Sequence, residues 1–149
     1  MTLDTVIAAV KHADYDQTES MTSILRDVAG PSDAHVVIFH AFTSESFEET
    51  ADRLEYETSG EASADEVASR LSVVRDMRSA LEDAGIGVSV AGAIGNPGEE
   101  IVTAAEKADA GLVFVGGRRR SPAGKAVFGS TAQEVMLDSP CPVTFVRVD

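Results

Sequence analysis

Five short apolar runs are spaced along the chain, and each has the length of a β-strand. An apolar run of about four to eight residues is typical of a strand that is buried on both faces of a parallel sheet. We therefore predict five strands, which contain residues 6–10, 36–39, 88–90, 112–115 and 143–146.

Apolar residues at helical spacing lie between these runs. The first stripe covers residues 21–28, where apolar positions follow the i, i+3, i+4, i+7 pattern of one helix face. Asp16 and Glu19 can cap the start of this helix, and Gly30 followed by Pro31 predicts its end. Residues 43–61 are acidic and carry no clear stripe. We expect them to form a flexible connection or a partial helix, and the sequence leaves open whether they form a lid.

Three further helices have recognisable starts. Residues 63–66 have the pattern of a capping box, and the apolar stripe that follows predicts one helix as far as Gly85. Asn96 is a suitable N-cap for the next helix, with Pro97 at its first position. The last helix is expected to begin at residues 130–134 and to end before Pro140.

Strands and helices thus alternate along the whole chain. Right-handed crossovers between successive strands produce an α/β fold with an open five-stranded parallel sheet and helices on both faces. We predict a single domain of residues 1–149 with the Rossmann-like strand order 3-2-1-4-5. Ligands of such sheets bind beyond the carboxyl ends of the strands where the winding reverses, which here lies between the first and fourth strands.

Composition limits the classes of partner. The chain has 25 acidic and 12 basic residues, a net charge of −13, and only three of the bases are lysines. Such a surface repels nucleic acid and anionic lipid, so we expect neither nucleic acid nor a membrane as a partner. An acid-rich, lysine-poor surface favours a salt-adapted protein from a halophilic organism. The alternative is an ordinary acidic protein.

The chain also lacks signals for other compartments. No apolar run approaches the length of a transmembrane helix, and the first twenty residues contain four acidic residues rather than a signal peptide. The single cysteine, Cys141, excludes an internal disulfide and is expected to be a packed side chain. We therefore expect a cytoplasmic protein.

Candidate chemistry lies at two strand ends. The first strand is followed by Lys11 and His12, and the fourth by Gly116 and Gly117. Four of the twelve basic residues then fall within residues 118–125, before a helix that starts near Gly129. Glycines let backbone amides approach a ligand, and a helix N-terminus favours anions, so this region predicts a phosphate-sized anion site. The alternative is a solvated turn whose arginines pair with nearby acids.

Several other motifs are absent or weak. A Walker A loop ending at Lys125 fails at two positions, and no dinucleotide-binding glycine pattern follows the first strand. His35 and His40 flank the predicted second strand. We interpret both as packing residues at the strand ends rather than catalysts, because no nucleophile or carboxylate stands at motif spacing.

The segment from Val113 to Met136 resembles the C-terminal signature of the universal stress protein family, Gly-x2-Gly-x9-Gly-Ser/Thr. Gly116 matches the first glycine, and Gly129 with Ser130 matches the last pair. The second glycine is replaced by Arg119. Other features also resemble the family: the chain length, the order of the elements, the helix start at residues 96–97, and the segment 139–143 before the last strand.

This resemblance implies an adenine nucleotide alpha hydrolase-like fold and a stress-response or signalling module. Its ligand would be ATP, AMP or another adenine nucleotide, with or without Mg²⁺, or another phosphate ligand, bound between the first and fourth strands. The residues that would contact the phosphates are Gly116, Gly117, Arg118, Arg119, Gly129, Ser130 and Thr131. Those that would border the base and ribose are Ala9, Val10, Lys11, His12 and Ala41.

Two departures from the family pattern change the expected ligand chemistry. Lys11 stands where ATP-binding members carry an acidic residue, and Arg119 stands where they carry a glycine. Both substitutions add positive charge, which favours an anionic ligand. They also weaken the case for ATP binding as in those members, so we expect an altered choice of ligand rather than an empty site.

Alternative functions remain open on the same resemblance. One is a dimeric interaction scaffold that binds no nucleotide, with unknown protein partners. The other is a slow ATPase, which ranks last because no general base is evident. The resemblance also implies a homodimer formed through the last strand, with Val143, Phe145 and Val148 at the interface.

Salt adaptation makes a direct prediction. Because salt screens the repulsion among excess carboxylates, the unfolding midpoint should rise from low to molar KCl. Thermal unfolding at a series of KCl concentrations measures it, and a flat or falling curve would contradict salt adaptation.

Overall fold

A computed structural model describes residues 3–11, 15–54, 63–117 and 129–147. Its strands are β1 (Thr5–Ala9), β2 (His35–Phe42), β3 (Val88–Ile94), β4 (Leu112–Gly117) and β5 (Val143–Arg147). Its helices are α1 (Tyr15–Ser32), α2 (Ser44–Arg53), α3 (Ala64–Ser69), α4 (Ser72–Asp83), α5 (Pro97–Lys107) and α6 (Ser130–Asp138). None of these helices, within the described residues, is long and apolar enough to cross a bilayer.

The five strands form one parallel sheet in the order β3-β2-β1-β4-β5. The predicted strand order and fold class are therefore confirmed. β1 lies at the centre, where Val6 is in register with Val36 of β2 on one side and with Leu112 of β4 on the other. Winding reverses at β1, as in other open α/β sheets.

Alternation along the strands divides the interior into two apolar layers. Val6 and Ala8 point into one layer, which packs against α1, α3 and α4. Ile7 points into the other, which packs against α5 and α6. Successive strand residues face opposite sides of a sheet, so the continuous apolar runs are explained by burial on both sides.

Three helices end in the same way. Asp33, Gly85 and Asp109 follow α1, α4 and α5 with positive φ values of 54°, 81° and 50°. The next residue in each case donates its backbone N–H to a carbonyl five residues earlier, which is the Schellman pattern. These three residues, Ala34, Ile86 and Ala110, are buried. Each turn therefore satisfies a helix carbonyl and directs the chain back into the sheet.

The first helix extends further than predicted. α1 continues through Gly30 and Pro31 and ends at Ser32, whose hydroxyl donates to the carbonyl of Val28 at 2.7 Å. The helix ends where Asp33 turns left-handed. Proline in the last turn removes a single N–H, so it did not set the boundary.

The stripe from residue 64 to 83 is two helices rather than one. Arg70 ends α3, and Leu71 adopts extended backbone (φ −64°, ψ 135°) before α4 begins. Leu71 is nevertheless buried in the core. Its apolar spacing continues across the break, which is why periodicity alone predicted one helix. Ser63 accepts the N–H of Glu66 at the predicted start.

The acidic segment after β2 contains a regular helix. Thr43 and Ser46 form a reciprocal capping box at the start of α2, each side chain accepting the other residue's backbone N–H. Buried Thr50 and Ala51 anchor the helix. The prediction of a partial helix therefore holds for residues 44–53, and residues 55–62 lie outside the described part.

Helix α3 covers the outer edge of β3. The Asp65 carboxylate accepts the N–H of Gly92 at 2.8 Å. A Cβ on Gly92 would overlap the carbonyl oxygen of Ala64 and would lie 3.1 Å from the Cβ of Ala68. Glycine is needed here because the helix backbone approaches the strand directly.

This contact predicts that Gly92→Ala destabilises the fold by about 1–3 kcal/mol, the usual cost of overpacking. Gly87→Ala is the matched control, because its added methyl would meet only the exposed His35 ring, with Nδ1 at 3.1 Å. Its expected effect is below about 0.5 kcal/mol. Urea unfolding measures both, and equal effects would show that α3 yields to the added methyl.

Candidate functional site

A cavity of about 310 Å³ opens at the carboxyl ends of β2, β1 and β4. Its position is the crevice at the reversal of winding, where α/β sheets bind ligands. The volume falls in the lower part of the range of about 300–1,000 Å³ that is usual for small-molecule sites. The lining residues are Ala9, Val10, Lys11, Phe39, His40, Ala41, Thr43, Ser46, Pro97, Ile101, Val115, Gly116, Thr131 and Ala132.

Three helix N-termini meet at this cavity. Thr43 caps α2, Pro97 is the first residue of α5, and Thr131 lies in the first turn of α6. In a parallel sheet each connecting helix starts at the end of the strand before it, so the topology collects these termini at one edge. Their unpaired N–H groups and dipoles favour a negatively charged ligand.

The three termini differ in how their N–H groups are satisfied. The Asn96 side chain accepts the N–H of Glu99 at 3.1 Å in α5, and Thr43 accepts that of Ser46 in α2. α6 starts at Gly129 with no side-chain capping bond from the described residues. The first turn of α6 is therefore the most available N–H donor set at the cavity.

Part of the cavity wall is apolar. Phe39 and Ala41 of β2 contribute to it with Ile101 of α5 and Val115 of β4. These side chains belong to the layer under α5 and α6. This part of the wall therefore offers apolar contact to a ligand.

Lys11 supplies the charge at the cavity. It is the only charged side chain among the described lining residues, none of which is a carboxylate. Within the described ranges no acidic group forms an ion pair with Lys11, and the residue is exposed. The electrostatics of the described site therefore favour an anion.

The described residues include no cluster of three His, Cys, Asp or Glu side chains that could hold a metal ion.

A family model described as "Universal stress protein family" matches residues 3–147. The chain belongs to the universal stress protein family. A relative named universal stress protein from Mycolicibacterium smegmatis is 36% identical over 91 residues, which cover 60% of this chain and 70% of the relative.

Solved structures of the family share the fold. A universal stress protein from Archaeoglobus fulgidus superposes with a TM-score of 0.73 at 21% identity, covering 97% of this chain and 98% of the other. A universal stress protein in complex with cAMP gives 0.67 at 18% identity, with both chains fully covered. A universal stress protein from Archaeoglobus fulgidus in complex with dAMP gives 0.67 at 17%, covering 99% and 100%.

The residues suggested by the family resemblance fall into three groups. Six of them line the cavity together: Ala9, Val10, Lys11, Ala41, Gly116 and Thr131. Gly117, Gly129 and Ser130 lie next to lining residues but do not themselves line it. His12, Arg118 and Arg119 lie outside the described residues.

Gly117 and Gly129 have different surroundings. A Cβ on Gly117 would lie 3.2 Å from the Phe145 ring, so this glycine is needed for packing between β4 and β5. A Cβ on Gly129 would meet no atom of the described residues within 4 Å, and φ is −62° there. Any residue can adopt the backbone of Gly129, so its substitution tests the site without straining the fold.

The sequence interpretation missed part of the cavity wall. His40 is not at a strand end, because β2 continues to Phe42, and its ring packs edge-on against Phe42 with centroids 4.4 Å apart. Thr43 and Ser46 come shortly after the end of this longer strand and also line the cavity. His40 interrupts the apolar run after Phe39, which hid the last part of β2.

Proposed function

We propose that this member of the universal stress protein family is a cytoplasmic stress-response or signalling module that binds an adenine nucleotide, or another phosphate ligand, at the cavity between β1 and β4. The observation that carries the proposal is an apolar cavity at the winding reversal, bordered by Lys11 and by the start of α6, where no described side chain caps the helix.

The described residues fit the two parts of such a ligand. A planar base would lie against Phe39, Ala41 and Ile101, which provide an apolar surface. Its phosphates would lie toward Gly116 and the first turn of α6, where backbone N–H groups and a helix dipole favour negative charge. Lys11 would add charge on the β1 side. Mg²⁺ would be held by the phosphates when ATP is bound.

Structures that share this fold support the choice of an adenine ligand. Two of the universal stress proteins compared above are in complex with cAMP and with dAMP. Both ligands combine an adenine base with a phosphate, which is the combination that the cavity offers in this chain.

The first test is the small-molecule content of the purified protein. Heat-released ligands, separated by anion exchange after purification in high-KCl buffer, are expected to include ATP, ADP or AMP. Calorimetry with added ATP and AMP should give saturable binding, and Gly129→Leu should weaken it at least tenfold by covering the start of α6.

The control for this test is stability. Because no atom of the described residues lies within 4 Å of a Cβ at Gly129, Gly129→Leu should unfold close to the wild-type midpoint. Wild-type protein that is purified empty and takes up neither ATP nor AMP would contradict the proposal. That result would favour the alternative function, an interaction scaffold that binds no nucleotide. The observation that favours this alternative is Lys11, which stands where ATP-binding members of the family carry an acidic residue.

We also propose that two copies associate through the edge of β5. β5 is the outermost strand on its side of the sheet, whereas the opposite edge is covered by α3 through the bond from Gly92 to Asp65. Val143 and Phe145 are half-buried against the layer under α6. The exposed parts of these two side chains would form an apolar contact with a second copy. Val148, the third residue expected at the interface, lies outside the described residues.

This association predicts a specific effect of charge at the edge. Val143→Lys should convert a dimer to a monomer in sedimentation velocity at high KCl. The same change at Val88, a half-buried residue on the opposite edge strand, should leave the dimer intact. A wild-type monomer, or equal sensitivity at both edges, would contradict association through β5.

A further inference from the structure

His40 forms a bond that links two strands at the edge of the cavity. Its Nδ1 atom lies 2.8 Å from the carbonyl oxygen of Val10, thirty residues away in the sequence. Val10 also donates its backbone N–H to the carbonyl of Phe39 at 2.9 Å. Both polar groups of the Val10 backbone are therefore held by β2, although the ladder of β1 ends one residue earlier, at Ala9.

Packing holds the imidazole in place. His40 is only 8% exposed, and its ring meets Phe42 at an interplanar angle of 81°. Phe42 in turn packs edge-on against Phe47 of α2, with centroids 5.4 Å apart. Such edge-to-face contacts restrict ring rotation, so the direction of the Nδ1–H bond is fixed by neighbours on two elements.

Peptide planarity carries this restraint to the next residue. The carbonyl of Val10 and the N–H of Lys11 belong to one planar unit. A donor that holds the carbonyl oxygen also sets the plane of that unit and the direction in which the chain leaves β1. The next side chain is Lys11, the one charged group among the described lining residues.

We propose that His40 is a positioning residue that acts through the Val10 carbonyl to set Lys11 against the cavity, and that this arrangement makes the site select charged over uncharged forms of its ligand. The inference rests on the proposed nucleotide function and adds to it a selection mechanism. AMP and adenosine are the diagnostic pair, because they differ only in the phosphate.

Calorimetry of four proteins tests the mechanism. The wild type should prefer AMP to adenosine, and His40→Phe, which keeps a ring but removes the donor, should lower this preference about fivefold, as expected for a partly exposed charge interaction. His40→Asn keeps an N–H donor near the position of Nδ1 and should retain most of the preference. Lys11→Met should lower it as much as His40→Phe.

The double variant separates positioning from packing. In the Lys11→Met background, His40→Phe should leave the preference unchanged, because the group through which it acts is gone. A purely structural His40 would instead lower the unfolding midpoint and weaken AMP and adenosine alike. That result, or equal loss in His40→Asn and His40→Phe, would overturn the proposal.

A measurement on the ligand-free protein separates a failure of the His40 mechanism from a failure of the proposed nucleotide function. A carbonyl oxygen only accepts, so Nδ1 of His40 must carry a hydrogen. Long-range ¹H–¹⁵N spectra of the imidazole should show that hydrogen, and a bare Nδ1 would overturn the bond itself. If the hydrogen is present but neither AMP nor adenosine binds, the nucleotide function fails and the selection mechanism fails with it.

Discussion

The parallel pairing of β1 with both β2 and β4 is the constraint on which the rest of the structure depends. A strand in this position is buried on both faces. Crossovers lead from β1 to β2 and on to β3 on one side, and the chain then returns from β3 to β4 on the other side of β1. The helices that follow β1 and β4 then lie on opposite faces of the sheet, and the cavity opens at the carboxyl ends of these two strands. The cavity is thus a consequence of connectivity.

Connectivity also explains how a chain with a net charge of −13 can offer a site for an anion. The carboxylates are spread over the surface, where water and salt screen them. At the cavity the field comes instead from backbone N–H groups at helix N-termini and from Lys11. Net charge therefore argues against polyanionic partners but not against one phosphate group.

Sequence patterns predicted the sheet well because burial on both faces leaves a strong local signal. The same patterns failed at residues whose type or spacing indicates one local structure while the backbone adopts another. Leu71 keeps helical spacing while breaking the helix, and Pro31 resembles a stop signal while lying inside α1. The bond from His40 to Val10 joins residues thirty positions apart, so no local pattern could predict it. Salt adaptation, which depends on the whole surface, stays a prediction.

The family fold and the ligand preference are set at different levels of the structure. Solved structures of the family at about 20% identity share the fold of this chain. The groups that distinguish one ligand from another are few and lie at strand ends, where a substitution costs little stability because the side chain is exposed. Lys11 is such a position, whereas His40 is buried and its bond determines where the exposed charge stands. By the proposed mechanism, the ligand choice of this chain depends both on the residue at the strand end and on the buried neighbour that holds it in place.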